Sequence, residues 1–146
     1  MHDNYILLTF DVEDWFQVEN LRPWNPPSTW SERELRVERS THRILDLLDS
    51  ISLSISSSSA YNSGHSSLFS RSSRSSHFLS ATFFILGWIA KRCPHLVREI
   101  QARGHEVASH GDSHLMCTDM SPGELDQDLA RSKARLEDII GQEVKG

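Results

Sequence analysis

Apolar residues along this chain fall into three short runs separated by segments of helical period. Residues 5–10 (Tyr-Ile-Leu-Leu-Thr-Phe) are mostly apolar at consecutive positions, as in a strand buried on both faces. Residues 81–86 (Ala-Thr-Phe-Phe-Ile-Leu) repeat that pattern, and residues 105–109 give a shorter third strand. A loop follows the first strand, marked by Pro23, Pro26 and Pro27 among Trp15, Phe16, Trp24 and Trp30. Ser31 with Glu34 three residues on forms a capping box that predicts a helix with Val37, Ile44, Leu45 and Leu48 inward. A second helix is predicted around 88–103, ended by Gly104. A third opens at Ser121-Pro122-Gly123-Glu124, with Leu125, Leu129, Leu136 and Ile140 as its inner face. The order β-loop-α-β-α-β-α predicts an α/β domain with parallel strands and flanking helices.

One segment breaks the pattern. Residues 51–80 hold fifteen serines and no acidic residue. Ile51, Leu53 and Ile55 alternate with serine and could pass for a strand, but the remainder has no period that would bury a face. The expectation is a disordered insertion in a connection that ordinarily needs only a few residues, interrupting a domain that spans 1–146. A lid, a phosphorylated linker or frame-shifted sequence would share this composition.

Charge and cysteine content narrow the partners. The 146-residue chain has a net charge of -5, against a nucleic-acid partner, which would usually meet a basic face. Cys93 and Cys117 form neither a disulfide framework nor a CxxC metal pair. No segment has the ~20 apolar residues that span a bilayer, and Met1 to Asn4 lacks a basic signal-peptide start. A cytoplasmic location is expected, with the inner membrane face as an alternative.

Two clusters carry candidate chemistry. Asp11-Val12-Glu13-Asp14 closes the first apolar run, and His110-Gly111-Asp112-Ser113-His114 follows the third strand. Ends of parallel strands meet at one rim of an α/β sheet, where such folds build their sites. His110 and His114 are spaced i, i+4, which on a helical turn puts both imidazoles on one face. Gly111 stands where a metalloprotease motif has its glutamate, so a base must come from elsewhere, Asp11 or a neighbour. Three carboxylates in four residues repel one another, and a divalent cation would neutralise them. Trp15 and Phe16 offer ring faces to a sugar, or to loop packing.

With those residues in view, the chain resembles the polysaccharide deacetylases, carbohydrate esterase family four, whose domain is known as the NodB homology domain. Residues 8–15 (Leu-Thr-Phe-Asp-Val-Glu-Asp-Trp) resemble its first motif, 81–87 its second strand, and 94–100 with 103–110 the helix and strand leading to the metal histidines. Residues 141–146 resemble the approach to a third motif. The DVED variant resembles the subgroup associated with bacterial exopolysaccharide synthesis. The resemblance implies a distorted (β/α) barrel, here incomplete, and metal-dependent hydrolysis of N-acetyl groups on a glycan, with Zn²⁺ the expected ion. It implies Asp11 as general base and His110 and His114 as ligands. The carboxylate ligand stays open, Asp14 being preferred and Glu13 the alternative. The family's third-motif arginine and later acid histidine would lie beyond Gly146, so a fragment with little activity alone is expected. A non-catalytic carbohydrate-binding remnant and an allantoinase-like amide hydrolase are the competing readings. The sequence leaves the glycan and the oligomeric state open.

Overall fold

The computed structural model describes residues 6–61 and 79–146, the side chains of 56–61 excepted. Strands β1 (Thr9–Val12), β2 (Thr82–Ile85) and β3 (Glu106–Ser109) form one parallel sheet in the order β1-β2-β3. Helices α1 (Val37–Tyr61), α2 (Gly87–Arg92), α3 (Pro94–Ala102) and α4 (Pro122–Ile140) flank it. Short 3-10 turns at Trp15–Gln17, Glu19–Leu21 and Pro27–Glu32 fill the long loop after β1. The sheet is open among the described residues, as an incomplete barrel requires. The backbone N–H of Ser109 donates to Gly146 O at 2.7 Å, so the last residues run beside β3. Val12, Ile85 and Ser109 stand in one register across the sheet. The residues that follow β1 and β3, Glu13 and His110, therefore leave the same rim. None of the described helices is long and apolar enough to cross a membrane.

The core lies between the sheet and its helices. Phe83, Ile85, Leu86, Ile89, Leu96, Ile100, Leu45 and Leu136 are fully buried. Burying each such side chain contributes on the order of 1.5–3 kcal/mol. Phe16 and Trp30 join the same core from the loop, with Trp88 edge-on to both rings.

Several boundaries differ from the sequence reading, each for a physical reason. The first strand is Thr9–Val12 rather than 5–10; Ile6 and Leu7 are exposed, and residues 1–5 lie outside the described residues. Its pattern is that of a strand paired on one side only, not of one buried on both faces. The first helix begins at Val37, not Ser31, because the Asp14 carboxylate accepts the N–H groups of Arg36 (2.7 Å) and Val37 (3.0 Å). A cap supplied from 22 or more residues upstream outranks the local Ser31–Glu34 signal. The predicted helix 88–103 is two helices, α2 and α3. Pro94 has no N–H to donate and keeps Cys93 out of the helical region, at φ -125° and ψ 55°.

Gly104 does end α3. It sits at φ 84°, and its N–H and that of His105 return to Gln101 O and Ile100 O. The serine tract divides. Residues 51–61 continue α1 as helix rather than starting a disordered insertion, and 62–78 lie outside the described residues. Extending an existing helix needs no new nucleus. The hydroxyls of Ser50, Ser52 and Ser54 donate to carbonyls three or four residues back. Ser52 Oγ also accepts the N–H of Leu79, which ties α1 to the approach to β2.

His105, just before β3, is 5% exposed and packs on the Phe83 ring. Neither of its ring nitrogens has a hydrogen-bond partner among the described residues. Burial holds its pKa below the ordinary value of 6.5. The unfolded chain then binds the extra proton first, so this contribution to stability is intact above pH 6.5 and is lost as pH falls below it. Thermal unfolding across that range should show a steeper acid decline for the natural chain than for His105→Phe. Parallel curves would contradict the assignment.

Candidate metal centre

The centre forms where three parallel strands end together. β1 runs out into Glu13, and β3 into His110. The backbone locks these exits to β2: Leu86 N–H donates to Val12 O (3.3 Å), His110 N–H to Ile85 O (3.0 Å) and Gly87 N–H to Gly111 O (2.8 Å). A carboxylate from one outer strand and two imidazoles from the other are thus held across the end of the central one.

Glu13 Oε2 lies 2.7 Å from His114 Nε2 and 3.9 Å from His110 Nε2. One donor atom from each of the three residues lies within 4.8 Å of the others. The His110 and His114 ring centroids are 5.1 Å apart. All three side chains are partly buried, with 17–29% of their surface exposed. The His114 imidazole holds the Glu13 carboxyl below the usual carboxylate range. Glu13 in turn holds His114 above the usual imidazole value, assisted by the backbone of Gln17. Close as they are, Glu13 Oε2 receives no well-aligned N–H among the described residues. A buried carboxylate oxygen facing two imidazole nitrogens without a proper donor suits a shared cation better than an ion pair. Ligands of a tetrahedral zinc ion, each ~2.0–2.1 Å from the metal, sit about 3.3 Å from one another. The observed separations bracket that value, so the donor set fits the ion.

The predicted residues come together only in part. Asp14, preferred as the carboxylate ligand, is 2% exposed and faces elsewhere. Its carboxylate accepts the N–H groups of Trp15, Arg36 and Val37, and its own N–H donates to Gln17 Oε1. It is spent as a double cap, and Glu13 is the carboxylate that meets the histidines. Asp11 is exposed on β1, paired with Phe84 in the sheet, and its carboxylate has no hydrogen bond or ion pair among the described residues. Phe16 is fully buried in the core, which removes it from any sugar surface. Trp15 remains 39% exposed, edge-on to Phe16, with the Arg36 guanidinium 5.5 Å from its ring centroid. The histidines meet through a loop, not the helical turn their spacing suggested. Gly111 takes φ 75° and His114 φ 58°, and these two left-handed residues fold the segment back.

The sequence reading missed the residues beneath this loop. α4 turns Asp128, Ser132 and Leu136 inward, while Leu129 is 49% exposed. The i, i+4, i+8 spacing of those three was a signal, masked by the more apolar Leu125–Leu129 pair. Asp112, between the histidines, packs directly on Gly87, where an added Cβ would lie 2.3 Å from its Oδ1 and 2.9 Å from its Cα.

Residues 75–146 match the sequence profile of the polysaccharide deacetylase family. A peptidoglycan N-acetylglucosamine deacetylase of Bacillus cereus is 36% identical over 53 residues, which cover 36% of this chain and 25% of that protein. A chitooligosaccharide deacetylase of a Bradyrhizobium species is 39% identical over 59 residues, covering 40% of this chain and 27% of that one. The chain thus spans about a quarter of the length of these relatives. In structure it matches a CE4 family pseudoenzyme from Bacillus anthracis with a TM-score of 0.59 at 19% identity, over 95% of this chain and 32% of the other. It also matches a peptidoglycan N-acetylglucosamine deacetylase with a TM-score of 0.54 at 20% identity, over 94% and 42%. At these identities the structural likeness concerns the fold, which is the deacetylase α/β fold.

Two variants check the geometry. Asp14→Ala strands the N–H groups of Arg36 and Val37 and should lower the urea-unfolding free energy by about 3 kcal/mol. Zinc affinity of the folded chain should stay unchanged; lost affinity with undisturbed stability would return Asp14 to the metal. Gly87→Ala drives a methyl into the Asp112 backbone and should cost about 1–3 kcal/mol in the same measurement. A neutral effect would show that the loop is not held there.

Proposed function

We propose that this chain serves the metal-dependent hydrolysis of N-acetyl groups on a polysaccharide, with Glu13, His110 and His114 holding a divalent ion and Asp11 acting as general base. The convergence of those three donors at one end of the sheet is the observation that carries the reading. Two imidazoles and one carboxylate leave a zinc ion an open position, as catalytic sites do. When bound there, such an ion supplies an acidified water and polarises the acetamide carbonyl.

The chain's own residues supply the rest. Asp11 lies on β1, two residues before Glu13, which follows the strand's end. The Asp11 carboxylate, unpaired among the described residues, can take the proton of the attacking water. Trp15 offers the one exposed aromatic face of the Trp15–Phe16 pair to a sugar ring. The relatives' named substrates, peptidoglycan N-acetylglucosamine and chitooligosaccharide, support an N-acetylated glycan. The Asp11-Val12-Glu13-Asp14 form of the first motif favours an exopolysaccharide among such glycans.

The test is acetate release from an N-acetylglucosamine oligomer by the protein carrying this chain, with and without added zinc. Release should require the ion. Glu13→Gln should weaken zinc binding, and Asp11→Asn should lower turnover about 10²–10⁴-fold while zinc binding persists. Glycan binding that survives Asp11→Asn with no acetate from the natural chain would replace the enzyme with a carbohydrate-binding role. Ureide hydrolysis in place of acetate release would move it to the allantoinase-like enzymes.

A further inference from the structure

Between β3 and α4 the backbone of the histidine loop has almost no freedom. His110 N–H is taken by Ile85 O. Gly111 N–H donates to Ser109 Oγ, whose hydroxyl donates to Ser132 Oγ on α4. The next two N–H groups, of Asp112 and Ser113, both go to the Asp128 carboxylate, at 2.7 and 3.1 Å. Asp128 is 3% exposed and is ion-paired to Arg131 at 3.2 Å. Its Oδ2 lies where a side chain on Gly111 would begin, 3.1 Å from an added Cβ. From the opposite side Arg22, steadied by Glu19 at 2.7 Å, donates from Nη2 to the carbonyl of His114.

That last contact falls on a strained residue. His114 holds φ 58°, a left-handed conformation that is uncommon for a residue with a side chain and persists only where its surroundings impose it. Released from either side, the loop would relax, and the two imidazoles would no longer face Glu13. Neither Asp128 nor Arg22 touches the donor atoms themselves.

We propose that Asp128 and Arg22 are positioning residues that clamp the 110–114 backbone from α4 and from the first loop, holding His110 and His114 in their metal-binding arrangement. The inference rests on the metal reading above. Asp128→Asn keeps the shape but turns an amide group toward one of the two N–H donors. Arg22→Met keeps the stem and removes the guanidinium. Groups that orient ligands typically change metal affinity 10–100-fold when lost.

The experiment is competition for zinc against a chromophoric chelator, with cobalt absorption as a second readout, at a temperature where circular dichroism shows each chain folded. Both variants should bind zinc about 10–100-fold more weakly and give a weaker, shifted cobalt spectrum. If the natural chain binds no zinc, the metal reading falls and the clamp with it. If it binds zinc and the folded variants match it in affinity and spectrum, the clamp alone is refuted, and both residues serve stability only. If Asp128→Asn does not fold, Arg22→Met decides in the same way, since Arg22 is only partly buried, with 23% of its side chain exposed.

Discussion

The commitment of the loop backbone between His110 and His114 is the constraint on which the rest of the centre depends. A parallel sheet brings Glu13 and His110 to one rim, but that alone leaves the second imidazole free to wander. His114 reaches Glu13 because the chain reverses at Gly111 and is then held on both sides. Asp128 accepts two consecutive N–H groups, as a carboxylate at a helix start would, although Asp112 and Ser113 start no helix. The left-handed turn at His114 is costly on its own and is offset by contacts from two separate elements.

Around this loop, helices contribute buried polar groups rather than apolar ones. α4 faces inward with Asp128 and Ser132 before reaching Leu136. α2 begins with a glycine because the Asp112 carboxylate and backbone occupy the space of a side chain. Asp112 is further paired with Arg131 and Arg135, whose guanidinium groups neutralise it beside an already acidic centre. Each replaces bulk hydrophobic packing with directional contacts, which fix position more sharply than apolar contact does.

The sequence made the order of elements legible, along with the α/β class and the strand ends that meet. The apolar run 81–86, the Ser121–Glu124 capping box and Gly104 carried local signals that the structure obeys. The misread features depend on partners distant in sequence. Asp14 reads as a ligand because it stands among carboxylates; only the fold shows that its carboxylate caps a helix starting 23 residues later. Phe16 reads as a sugar platform until Trp30 and Trp88 close over it. The inward face of α4 was hidden because leucine outweighs aspartate in any hydrophobic pattern, whereas here the buried position belongs to the aspartate. Pro94 did carry a local signal for the break between α2 and α3, and the periodicity around it concealed that signal.

The central claim is that Glu13, His110 and His114 form one metal site at the end of the sheet. X-ray absorption at the zinc edge of the zinc-loaded chain tests it most directly. The account predicts a shell of nitrogen and oxygen ligands at about 2.0–2.1 Å, with outer scattering from two imidazoles that drops to one in His114→Ala. A sulfur ligand from Cys117, an unchanged spectrum in His114→Ala, or no zinc retained by the natural chain would contradict it.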